Sequence, residues 1–213
     1  MPDKSGHVYG LTILAPIIED EHLEISHAIE LRDYLATLPK DQTSPFAEVP
    51  GTHLARLVVM DDVVYVGAPA CEEHLKNRYL VFEVNFDGDL DPYLQQLALK
   101  VPDFVESVWQ HCVGYPGTKD VNAFVEYMKK CRIETTFFFA DVNDRTLDQT
   151  LRALQAQTAL THFIERHQGL PAAALQQAFG DFLRKIAAAP TPLPAAEYKK
   201  VHSGKAHAAG TYT

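Results

Sequence analysis

An α+β sandwich, with one antiparallel sheet and its helices on a single face, is the fold class this sequence predicts. Two strand-like runs, 52–60 and 79–86, follow one another with no helix between them, which disfavours a doubly wound parallel sheet. Helical stripes precede the first run and follow the second, and each leads to or from another short apolar run. The 213 residues are 46% hydrophobic and 22% charged, enough for one domain with a full core or for two small ones.

The elements follow in order. Residues 9–15 are β-rich and too short for a helix. In 22–38 the period changes: His27, Leu31, Tyr34, Leu35 and Leu38 make one helical stripe, which Pro39 ends. Residues 40–51 are a loop, and 52–60 are a strand centred on Leu57-Val58-Val59. The connection 61–78 has room for a short strand at 63–66. Residues 79–86 alternate cleanly, with Leu80, Phe82, Val84 and Phe86 on one face and Tyr79, Val81, Glu83 and Asn85 on the other. Asp91-Pro92 opens a helix that Pro102 interrupts, and a second helix runs on to Gly114. A short helix at 121–131 buries Phe124 and Met128, and TTFFFA at 135–140 is the fourth strand. Thr146 and Gln149 form a capping box for a helix that buries Leu147, Leu151, Leu154 and Thr158. Pro171 opens a last helix with Leu175, Phe179, Leu183 and Ile186 at helical spacing. The order β-α-β-β-α-(α)-β-α-α is the split βαβ pattern of a ferredoxin-like sandwich (βαββαβ), with a helix inserted before strand four and extra C-terminal helices. One domain is expected over 1–189, followed by a Pro/Ala/Lys-rich tail at 190–213.

Several function classes fall away. A net charge of −9 leaves no basic surplus for nucleic acid. No run approaches the ~20 apolar residues of a membrane span. The apolar run 8–18 lacks a basic flank and contains Thr12 and Pro16, so it is not a signal segment. Three scattered cysteines do not make a disulfide framework, which places the chain in a reducing cytoplasm. No dinucleotide fingerprint, nucleophile elbow or paired Cys-x-x-Cys occurs, and Cys71-Glu-Glu-His74 supplies only half a zinc site. His111 and Cys112 point about 100° apart on a helix, which disfavours a nucleophile and base pair. Asp87-Gly88 reads as a turn, with Asp89 or Asp91 capping the next helix. His22 and His27 read as surface or cap residues.

The candidate site is the sheet face away from the helices. It carries Glu83 and Asn85, joined by either His53 or Arg56, because alternation alone does not decide which set of strand two shares that face. A cation beside a carboxylate in an apolar setting suits a small-ligand pocket; a structural ion pair facing water explains the same residues without one. The face also needs cover, either by a second copy of the chain or by the 113–132 insertion.

The segments Gly51-Thr-His-Leu-Ala-Arg56-Leu-Val-Val, Asn85-Phe-Asp-Gly88 and His111-Cys-Val-Gly-Tyr-Pro116 together resemble an uncharacterised bacterial family. At fold level the chain resembles the dimeric α+β barrel group, which includes dye-decolourising peroxidases, chlorite dismutases and small monooxygenases. That resemblance implies a homodimer and, along the peroxidase branch, haem. Phe86-Asp87-Gly88 matches the end of the peroxidase Gly-x-x-Asp-Gly motif, while Val84 replaces its first glycine. Three functions follow: a small-ligand pocket over the open face, a haem peroxidase-like or monooxygenase enzyme, and a non-catalytic oligomerisation module.

Overall fold

A computed structural model describes residues 3–20, 22–40, 44–69 and 71–188. The predicted tail at 190–213 lies outside these residues. The described chain divides into two compact units, the first ending at Asp144 and the second beginning at Arg145.

The first unit is α+β, with a five-stranded antiparallel sheet. Its strands are β1 (Lys4–Ser5), β2 (Val8–Pro16), β3 (Thr52–Met60), β4 (Tyr79–Asp87) and β5 (Arg132–Ile133). Strand β4 lies between β2 and β3, while β1 and β5 pair successive stretches of the free edge of β2. Its helices are α1 (His27–Thr37), α2 (Leu90–Lys100), α3 (Pro102–Trp109) and α4 (Val121–Lys130). Asp89 rather than Asp91 holds the N-cap position of α2, and its carboxylate accepts from Lys4 Nζ at 2.5 Å instead of capping its own helix. Gly88 takes φ +95° after Asp87, and Gly114 takes φ +73° after α3, both backbone states that favour glycine.

Alternation sorts the sheet as the sequence predicts. Register sets Ile13, Phe82 and Leu57 in one row, with Leu11-Val84-Ala55 and Ala15-Leu80-Val59 on either side. Ile13, Phe82 and Leu80 are fully buried in one cluster with Leu31, Leu94, Leu97 and Trp109. Phe124 and Met128 of α4 belong to that same cluster, so the insertion packs with the helices and does not cover the open face.

The expected strand at 135–140 is corrected by the structure. The fourth strand is only Arg132–Ile133, which pairs Ile13 and Thr12; residues 134–146 that follow it form no helix or strand. Register gives the reason. Continuing this ladder would bring residues 136 and 137 opposite Tyr9 and Val8, which β1 already pairs through Lys4 and Ser5. The displaced segment is held instead by the Thr135 N–H to Asp3 Oδ1 (2.9 Å) and the His7 N–H to Asn143 O (2.9 Å). The connection 61–78 likewise forms no strand at 63–66. Asp62 organises it, accepting bonds from the backbone N–H groups of Val63 (2.8 Å) and Leu75 (2.7 Å) and contacting His74 Nδ1 at 2.7 Å.

The second unit contains α5 (Leu147–Arg166) and α6 (Ala172–Ala187). The capping box forms: Gln149 N–H donates to Thr146 Oγ1, and the Gln149 side chain accepts from Thr146 N–H. The burial expected from its stripe does not follow, for Leu154 is 47% exposed and neither helix fully buries any residue. The two helices meet through Phe163, Phe179 and Phe182, whose ring centroids lie 4.9–5.9 Å apart. A groove of about 940 Å³ runs along this hairpin, with an apolar floor including Ala156 and Phe182 and a charged rim including Arg152 and Lys185.

Candidate functional site

Register resolves the choice between His53 and Arg56. Arg56 stands directly opposite Glu83, and Thr12 completes the row from β2. The guanidinium is paired with the Glu83 carboxylate, both on the face turned away from the core. Asn85 shares this face, between Gly10 and Leu54. Around the ion pair stand Val58 and Val81 in one adjacent row and Leu54 in the other; Leu54 is 63% exposed and Val58 43%. Arg56 itself is mostly in solvent. Phe138 lies over Gly10, where an added Cβ would sit 2.7 Å from its ring, so the displaced 135–140 segment covers one edge of the face. Phe137 and Phe139 point outward.

His53 goes elsewhere. The irregularity between Thr52 and Leu54 takes it out of simple alternation, and its Nε2 lies 2.8 Å from Asp87 Oδ1. Of the four predicted site residues, Arg56, Glu83 and Asn85 therefore share a face, and His53 belongs to a separate pair at the strand end. Asp87 is the acid of the partial peroxidase motif. Its carboxylate lies against an imidazole of the same sheet.

A second cluster was not marked by the sequence reading. His27 opens α1, Glu30 sits one turn on, and His111 follows α3. The His27 and His111 Nδ1 atoms are 3.0 Å apart, and Glu30 Oε2 is 3.8 Å from His111 Nδ1. His111 is 7% exposed. Burial, and then the neighbouring His27, hold its imidazole below the ordinary value, with Glu30 acting in the opposite sense. The spacing His27-x-x-Glu30 places both side chains on one helix face, a signal present in the sequence. The third member, His111, is 84 residues from His27 and joins the pair only through tertiary packing.

Cys112, beside His111, is buried, and desolvation pushes its thiol up to about 12. A thiol so rarely ionised at neutral pH is no nucleophile. Ellman's reagent should therefore modify exposed Cys71 in the native protein and reach Cys112 only on unfolding. Fast native labelling of Cys112, read by peptide mass spectrometry, would contradict this.

No helix among the described residues is long and apolar enough to cross a membrane. Comparison with family models, curated proteins and solved structures finds no match to this chain.

Proposed function

We propose that the first unit is a ferredoxin-like assembly module whose open sheet face is closed by a second copy of the chain. Its pairing order supports the fold reading: β5-β2-β4-β3 is the 4-1-3-2 order of a βαββαβ sandwich, with strand four cut short by β1. The observation that carries the function is the composition of the open face. One cation and one anion, Arg56 and Glu83, lie side by side, with the apolar Val58-Val81-Leu14 row on one side and Leu54, Asn85 and Gly10 on the other. Such a patch is self-complementary: a two-fold axis near the pair brings each Arg56 toward the partner's Glu83 and sets apolar rows against one another. The patch is locally neutral although the chain carries −9, so two acidic chains can meet there without stacking like charges.

The energy scale is adequate. Burying ~600 Å² of apolar surface contributes on the order of 15 kcal/mol gross, before association entropy is subtracted. The insertion that would compete for this face is already used in the core. A small-ligand site on the same face has weaker support, since Arg56, Leu54 and Val58 stand exposed and do not enclose a pocket.

Charge reversal tests the assembly. Arg56→Glu or Glu83→Arg alone sets like charges together and should weaken association by roughly a hundredfold, while the double exchange restores it. Light scattering behind a sizing column reads the outcome. Identical masses for wild type and both single variants would contradict the proposal.

A further inference from the structure

The geometry points to a divalent transition-metal site, of the zinc class, formed by His27 Nδ1, His111 Nδ1 and the Glu30 carboxylate. Zinc holds nitrogen and carboxylate ligands at ~2.0–2.2 Å, which sets neighbouring donors of a tetrahedral shell about 3.3 Å apart. The observed separations of 3.0 and 3.8 Å bracket that value, and all three donor atoms lie within 4.8 Å of one another. The three donors therefore converge closely enough for one ion to gather them by side-chain adjustment. Two imidazoles and a carboxylate leave one tetrahedral position for water, on the side of exposed Glu30.

The donors also sit on separately anchored backbone. The Ile18 N–H donates to His111 O at 2.9 Å, and the Val113 N–H donates to Pro16 O at 2.8 Å, so His111 is stitched to the continuation of β2 from both sides. His27 and Glu30 occupy the first turn of α1, whose Ile29 N–H donates to Ser26 O at 2.9 Å. The site fastens the start of α1 to the end of α3.

The test is cobalt(II) titration of the chelator-treated full chain, followed by its visible absorption and by zinc displacement. The wild type should take up one equivalent tightly, and His27→Ala and Glu30→Gln should each weaken that uptake by roughly a hundredfold or more. His74→Ala serves as the control. His74 lies among exposed Asp62 and Glu72, and its loss should leave the tight equivalent unchanged. His27 is only half-buried, so its variant is expected to fold; a melting scan adds a second readout, in which zinc raises the Tm of the wild type and not of His27→Ala. Equal cobalt affinity in wild type and His27→Ala would overturn the site. So would loss of the tight equivalent in His74→Ala alone.

Discussion

Phe82→Ala should lower the unfolding free energy by about 3–5 kcal/mol, a large fraction of the ~5–15 kcal/mol that holds a typical domain folded. Phe82 is fully buried at the middle of β4, with Phe46 stacked at 5.7 Å and Trp109 edge-on at 5.3 Å. Removing the ring leaves a cavity among three elements that cannot all close on it. The neighbouring Val81→Ala change is the matched control. Val81 points to the open face, so its truncation should cost less than about 1.5 kcal/mol in folding and act mainly on self-association. Urea unfolding at several protein concentrations separates the two effects. Comparable losses of folding stability at both positions would mean the open face is packed from within the chain.

Asp3→Ala should cost about 2 kcal/mol, the range for a hydrogen-bonded charged group. Asp3 is only 4% exposed. Its Oδ1 accepts the Thr135 N–H at 2.9 Å, and its Oδ2 faces the Tyr9 hydroxyl at 3.4 Å and Arg132 at 3.9 Å. Arg132 in turn donates to the Tyr9 hydroxyl at 3.0 Å. This network ties the N-terminal segment to the point where β5 leaves the sheet. Its loss frees the Thr135 N–H and removes a partner from Arg132. Hydrogen exchange should show the added opening around 132–136, with the centre of β4 unchanged. Uniform loss of protection across the sheet would contradict so local a role.

What the sequence makes legible is the physics that repeats along a segment. The alternation of 79–86 and the stripe through Leu31 each send their apolar residues into one core, and Gly88 and Gly114 take the backbone states their turns require. What it hides depends on partners distant in the chain. TTFFFA has strand composition, yet its ladder positions on β2 are occupied by Lys4 and Ser5, which no local pattern reveals. The stripe of α5 is amphipathic without being buried, because α6 meets it mainly through three aromatic rings. For the candidate site, alternation selected Glu83 and Asn85 but not their cation. Cross-strand register selected Arg56, and a strand irregularity gave His53 to Asp87. The His27, Glu30 and His111 cluster forms where α1 packs on α3, so only its i, i+3 half was visible in the chain.

Closure of the open sheet face by a second chain is the claim on which the functional reading stands. Sedimentation equilibrium of the wild-type full chain at micromolar concentration tests it most directly. A dimer closed through this face gives a mass of twice 23.8 kDa that falls on dilution and on Arg56→Glu substitution. A constant mass of 23.8 kDa across the micromolar range would contradict it.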